Sequence, residues 1–231
     1  MKKLIHSICL LLVCCSSITA QGFKEMVIKA SENLSKADRF SYNLLFDNYQ
    51  SNVLISSEKF SIQKLGDTLY SKNERMESFF FKDISLIVDH EGQLVVLNKG
   101  MARQKSMTDT QFTLLTELEN LAVNIKKSEN KGLIVYELSF LDYHMKKVIV
   151  SYNEEKSMIG TITLFLSEPI VYEEQEISID KMEIKLKDYT TENKVLERSP
   201  VSYVKQNGEQ VELQEKYSHY QIITNLSLIH I

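Results

Sequence analysis

Cysteine is confined to the start of this chain: Cys9, Cys14 and Cys15 are the only three in 231 residues. Once that stretch is removed, the remaining chain can form no disulfide, no thiolate metal site and no cysteine nucleophile. Proline and glycine are also scarce, with 2 and 7 residues, too few for Pro-rich linkers or glycine-rich phosphate loops. The four arginines, Arg39, Arg75, Arg103 and Arg198, are scattered. No Gly-x-Ser-x-Gly elbow marks a serine nucleophile. No internal repeat or low-complexity stretch divides the chain. No later apolar run approaches the ~20 residues of a membrane-spanning helix.

The first twenty residues have the three parts of a secretory signal. Lys2 and Lys3 are the positive region, Ile5 to Val13 is mostly apolar, and Cys14 to Ala20 is small and polar. The expected cleavage falls between Ala20 and Gln21. Lipid attachment at Cys15 is the competing fate, although its flank is a poor match. Loss of the two lysines takes the net charge from −4 to −6. That acidity argues against nucleic acid or an anionic membrane surface as the main partner.

Residues 23–36 predict an amphipathic helix, with Phe23, Met26, Val27, Ala30 and Leu34 on one stripe. The period then becomes two: Phe40, Tyr42, Leu44 and Phe46 alternate with mostly polar neighbours. Phe60 and Ile62 suggest a second strand, ended by Gly66-Asp67; Leu69 and Tyr70 look like strand, while Glu74 to Phe81 gives no clean period. Ile84, Leu86 and Val88, the turn Asp89-His90-Glu91-Gly92 and Leu94 to Leu97 form a hairpin. Thr108 and Gln111 have capping-box spacing, and Phe112, Leu115 and Leu118 predict a second helix over 109–122. Further strands are expected at 134–140, 148–152, 162–166 and 177–186. Ile177 and Ile179 lie out of phase with Met182, Ile184 and Leu186, which calls for a bulge near Asp180-Lys181. Asn207-Gly208 signals a hairpin with Val204 opposite Val211. The expectation is one domain, 21–231: a mainly β, curved, mostly antiparallel open sheet or half-barrel of about nine to eleven strands, with an N-terminal and a mid-chain helix.

The polar clusters each have a plain reading beside a functional one. Asp89-His90-Glu91 could be a general-base or metal group, but at a hairpin tip it is more simply an exposed turn. Asp142-Tyr143-His144 could give two metal ligands, with no obvious third. His219 between Tyr217 and Tyr220 reads as surface or partial burial. Glu173-Glu174-Gln175-Glu176 lacks a calcium-loop pattern. No cofactor, metal or catalytic residue is expected.

The apolar pattern is less ordinary. Phe79-Phe80-Phe81 puts rings on both faces of its element, and Val95 and Leu97 oppose Leu94 and Val96. Leu45 and Phe165 join otherwise polar faces. Strands apolar on both sides need cover on both sides. Either a second layer fills that need, or Leu45, Phe79, Phe80, Phe81, Val95, Leu97 and Phe165 line a cavity for a hydrophobic ligand.

The order of elements, with Phe40-Ser41-Tyr42-Asn43-Leu44, Phe60-x-Ile62-x-x-x-Gly66-Asp67-x-x-Tyr70-x-Lys72 and Ile84-x-Leu86-x-Val88-Asp89, resembles the LolA/LolB lipoprotein-carrier superfamily. It is most similar to LolA-like secreted proteins of Bacteroidetes type. The resemblance implies an open curved sheet closed by helices, and transient binding of acyl chains without chemistry. No arginine here matches the one those carriers use, which puts lipoprotein carrying itself in doubt. Two functions stand: an exported, monomeric binding or carrier protein for a lipid or acyl chain, and a non-catalytic interaction module of an envelope or secretion complex. A hydrolase would need His90, His144 or His219 to meet carboxylates in one cleft.

Overall fold

The computed structural model describes residues 22–81, 84–99, 107–141, 143–172, 177–192, 195–207 and 210–226. The leader with Cys15 and Ala20, Arg103, Asp142, residues 173–176 and Gly208 lie outside them. No described helix is long and apolar enough to cross a membrane.

The chain opens with α1 (22–36) and carries α2 (Met107–Leu121) at mid-length. The strands are β1 (Arg39–Gln50), β2 (Val53–Leu65), β3 (Thr68–Lys72), β4 (Met76–Phe81), β5 (Ile84–Asp89), β6 (Leu94–Lys99) and β7 (Asn124–Asn130). After them come β8 (Leu133–Ser139), β9 (Met145–Asn153), β10 (Met158–Tyr172), β11 (Ile177–Thr190), β12 (Val204–Asn207), β13 (Gln210–Leu213) and β14 (Gln221–Leu226). Twelve form one sheet, ordered β14-β6-β5-β4-β3-β2-β1-β11-β10-β9-β8-β7, and β12 pairs with β13 alone. The sheet is open, ending at β14 and β7. Neighbouring strands pair antiparallel from β2 to β6 and from β7 to β11, whereas β14 joins β6 in parallel. Alternation in the sequence marks nine to eleven strands. β7 escapes it by being almost wholly polar, and β4 because Phe79-Phe80-Phe81 has no alternation to show.

Contacts divide the chain into two units. The first draws on Met1–Lys36, Leu45–Ser57 and Met107–Leu186, the second on Ala37–Leu44, Glu58–Ser106 and Lys187–Ile231.

In the first unit both helices pack on one face of β8, β9 and β10. Phe23, Met26, Val27 and Ala30 of α1 and Leu115 of α2 bury against Tyr136, Leu138, Val148, Val150 and Tyr152. Phe23 meets Tyr136 edge-on with ring centroids 5.3 Å apart. The turn between β1 and β2 is tight, with Ser51 and Asn52 both at positive φ (50° and 68°), the geometry of a two-residue hairpin turn whose twist matches its strands. The anticipated irregularity lies opposite Asp180, but its extra residues are in β10. Phe165 pairs with Lys181 and Ile170 with Ile179, so the stretch containing Pro169 absorbs the slip. Proline has no N–H to give the ladder, which is why the break falls there.

In the second unit β3 to β6 form an antiparallel meander, and β14 adds to its edge in parallel. The C-terminal segment crosses one face by way of a 3-10 turn (Pro200–Ser202), the β12–β13 hairpin and a second 3-10 turn (Glu215–Tyr217). That hairpin corrects the expected pairing. Asn207 lies opposite Gln210, so the connection is Gly208-Glu209, and Val204 faces Leu213 rather than Val211. A turn moved by one residue moves every partner by two. Both valines still pack on the unit's core.

Candidate functional site

The meander has two apolar faces, and the pairings separate them without ambiguity. Residues directly opposite in a ladder point the same way, and neighbours along a strand point oppositely. Tyr70 pairs with Phe79, Phe79 with Leu86 and Leu86 with Leu97, while Glu77 pairs with Val88 and Val88 with Val95. These residues make the first face. Leu69 pairs with Phe80, and Ile87 with Val96, which in turn lies opposite Ile223 of β14. These make the second.

The first face is closed. Tyr70, Phe79, Leu86, Val88, Val95 and Tyr203 are each 0% exposed, and Tyr217 covers the same cluster. Ring contacts run from Tyr70 to Phe79 (4.8 Å between centroids), to Tyr203 (5.8 Å) and on to Tyr217 (4.7 Å).

Under this cover sits one carboxylate. Glu77 accepts hydrogen bonds from the Tyr70 hydroxyl at 2.6 Å and from His90 Nε2 at 2.9 Å. The Tyr203 hydroxyl is buried and turned to the same carboxylate, at a geometry too poor for a hydrogen bond. Burial pushes the Glu77 carboxyl up, but the bonds from Tyr70 and His90 outweigh it, leaving the group below the ordinary carboxylate range. Burial first, then proximity to Glu77, pushes the Tyr70 and Tyr203 hydroxyls well above theirs. Exposed Arg198 lies within electrostatic reach of Tyr203 and Glu77.

His90 thus lies in the expected turn but not as an exposed polar tip. Its Nδ1 lies 3.0 Å from the Tyr220 hydroxyl, so both ring nitrogens are engaged. The Glu77–His90 pair links the meander to the C-terminal segment through Tyr220. The sequence signal was available, a histidine two residues after Val88 and a tyrosine-rich C-terminus, but nothing in the spacing said that Glu77 would be its partner. Lys72 and Glu197 add an ion pair at 2.8 Å nearby.

The second face is only partly covered. Leu69, Phe80, Ile87 and Val96 are half-buried, and Ile223 is 40% exposed. Between them lie Ser71, Ser78 and Ser85, the last buried and accepting a hydrogen bond from Asn98. Lys64, beside Leu69, donates to the Ala37 carbonyl and holds its ammonium 5.9 Å from the Phe40 ring.

The seven residues singled out by their apolar pattern are divided between these places. Phe79, Val95 and Leu97 come together in the closed core, and Phe81 shares their face. Phe80 stands on the partly covered face. Leu45 and Phe165 belong to the first unit, where the Lys147 ammonium lies 4.7 Å from the Phe165 ring. The first unit also carries two shallow depressions. One, of about 430 Å³, is lined by Leu133, Val135, Ile149, Ser151, Thr161 and Thr163; the other, about 250 Å³, lies where Val27 and Ile28 of α1 approach Phe112 and Thr116 of α2.

Among the described residues no group of three or more His, Cys, Asp or Glu is arranged to hold a metal ion. His144 and His219 are both exposed.

No family model and no curated protein matches this sequence. Several solved structures are similar in fold. A conserved protein from Thermus thermophilus aligns at a TM-score of 0.47 and 6% identity, over 87% of this chain and 97% of its own. The complex of MucA and MucB from Pseudomonas aeruginosa aligns at 0.44 and 10%, over 76% of this chain and 59% of the other. A LolA superfamily protein from Nitrosomonas europaea aligns at 0.31 and 8%, over 72% and 92%. These likenesses concern fold alone.

Proposed function

We propose that this is an exported, non-catalytic binding protein that holds a hydrophobic ligand, a lipid or acyl chain, on the partly covered face of β3 to β6. The observation that carries the reading is the apolar stripe Leu69, Phe80, Ile87 and Val96, half-buried on a sheet whose opposite face is already closed. A meander that needed only a core would be polar on its outer side, as antiparallel sheets commonly are. Apolar contact at ~25 cal/mol per Å² supplies affinity without any reacting group. The leader-like first twenty residues support export, with cleavage before Gln21.

A second reading, docking to an envelope protein, draws on a different place. Beyond Pro169, Ile170, Val171 and Tyr172 are 43%, 61% and 49% exposed, an apolar end of the kind that marks interaction sites.

The test is to express the full chain with its leader, purify it gently, and examine it by native mass spectrometry with organic extraction. Co-purifying lipid that is lost in a folded Phe80→Asp variant supports ligand binding. A clean protein mass that stays clean after incubation with envelope lipids removes that reading and leaves docking.

A further inference from the structure

We infer that the outer edge of β14 pairs about a two-fold axis with β14 of a second copy of this chain, in place of the monomer expected from the sequence. The pairing joins the partly covered apolar faces of two molecules into one. It stands on backbone geometry alone; the joined face as a ligand site rests on the functional reading above.

β14 is the last strand at its end of the sheet, and among the described residues no strand lies along its outer side. Backbone groups alternate in direction along a strand, and the register with β6 says which are already used. The Gln221 N–H donates to the Gln93 carbonyl at 2.8 Å, and Gln221 to Leu226 run in parallel beside Leu94 to Lys99. Gln221, Ile223 and Asn225 therefore turn their N–H and C=O groups to β6, while Ile222, Thr224 and Leu226 turn theirs outward. Such a row is matched only by another extended strand. Exposed edges are ordinarily guarded by charge, proline or a bulge. Gln221 to Leu226 has no charged residue, no proline and no glycine, and Ile222, Ile223 and Thr224 are β-branched.

A second copy fits this edge. In antiparallel pairing, outward residues exchange hydrogen bonds with outward residues. Setting Thr224 opposite Thr224 of the second copy sets Ile222 opposite its Leu226, and every outward group of both strands is used. A register moved by two residues leaves a third of them without partners. The arrangement is self-complementary, as a two-fold contact must be, and an uncharged strand brings no like charges together. It also preserves the faces. Ile223 falls opposite Asn225 of the second copy, so the two Ile223 side chains are diagonal neighbours on one side of the new ladder. That is the side of Val96 and Ile87, which share a row with Ile223. Ile223, 40% exposed in the single molecule, becomes the middle of an apolar stripe drawn from both copies. A six-residue ladder is a small interface, so the dimer is weak by itself and is strengthened by a ligand that touches both halves.

Sedimentation velocity of the purified protein across a concentration series should show a rise from one chain mass to two. Thr224 is exposed and its N–H is turned away from β6. Thr224→Pro therefore removes the central bonds while sparing the β14–β6 ladder, and should weaken the dimer about tenfold. Thr224→Lys sets two like charges face to face across the two-fold axis, and so does Thr224→Glu. Each alone should stay monomeric where the wild type dimerises, and an equimolar mixture of the two should dimerise again. Mixing would not rescue variants that had merely failed to fold. A wild type that stays monomeric throughout overturns the inference and leaves the edge to a strand of another protein. A dimer indifferent to Thr224→Pro, or a mixture that does not recover, overturns it too. Adding a dansyl-labelled fatty acid should raise the dimer fraction of the wild type. If the dimer answers to Thr224 while the fatty acid never binds, the pairing stands and the ligand reading falls; a fatty acid bound by a strict monomer gives the reverse.

Discussion

The Tyr70 hydroxyl donates a 2.6 Å hydrogen bond to Glu77, its diagonal neighbour across the β3–β4 hairpin, under a cover of Tyr203 and Tyr217. Diagonal partners in a sheet are within reach only of long side chains, and this pair uses that reach on a buried charge. His90 extends the link to Tyr220, so residues 70, 77, 90 and 220 form one polar thread through an apolar cluster. Its contribution can be measured.

Glu77→Gln keeps the shape and removes the charge. The charged bonds from Tyr70 and His90 become neutral ones, and the loss expected is about 1.5–3 kcal/mol in urea unfolding. The pH dependence has a definite sign. The folded carboxyl lies below its ordinary 4.5, so its contribution is complete above the unfolded value and fades as pH falls through the folded one. The wild-type protein should therefore lose stability below about pH 4.5 more steeply than Glu77→Gln. Identical slopes for the two would mean that the bonds do not favour the charged form.

Phe79 and Phe80 are adjacent and should behave as opposites. Phe79→Ala empties a fully buried site and should cost about 3–5 kcal/mol, with a dansyl-labelled fatty acid used as probe still bound by whatever remains folded. Phe80→Ser removes a half-buried ring and should cost under about 1.5 kcal/mol while weakening the probe at least tenfold. Equal effects on binding would dissociate the ligand from the second face.

On the first unit, Lys185 bonds Asp47 at 2.8 Å and Glu183 at 2.7 Å, and these two bonds, with Asp47 the stronger, raise its own proton affinity despite burial. Asp47 also accepts from the Ser57 hydroxyl, so β1, β2 and β11 meet at one carboxylate. Lys185→Met leaves two carboxylates facing each other. The group is only partly buried, which limits the expected loss to roughly 1–3 kcal/mol. Adding Asp47→Asn should recover part of it, and a fully additive double variant would show the residues to be uncoupled.

The β5–β6 turn closes on Asp89, whose Oδ1 accepts from the backbone N–H groups of Glu91 and Gly92. A Cβ at position 92 would come within 2.8 Å of Asp89 Oδ2. Gly92→Ala should displace that side chain and cost about 1 kcal/mol through its lost bonds. In an Asp89→Ala background the same change should cost nearly nothing by thermal unfolding.

These features differ in how far they could be read from the chain. The α1 stripe was fully legible, since a 3.6-residue period over Phe23 to Leu34 has one physical meaning, and all five of its residues are buried. The turn at Asp89-His90-Glu91-Gly92 was legible for the same reason of local chemistry. What His90 reaches was not. Its partners lie 13 and 130 residues away in sequence, and no local pattern encodes a long-range pairing. The run Phe79-Phe80-Phe81 announced two apolar faces but not which would be closed, because the cover comes from Tyr203 and Tyr217, far along a segment whose hairpin turn was itself displaced by one residue.

β7, the last strand of the sheet, carries Lys126, Lys127 and Glu129 and buries almost nothing. An unfinished sheet of this size offers its terminal strand as a template, and a neighbouring chain could continue the ladder indefinitely. Charged side chains there impose an electrostatic and desolvation penalty on each added chain. The strand that contributes least to the core is therefore the one whose charges oppose such a continuation.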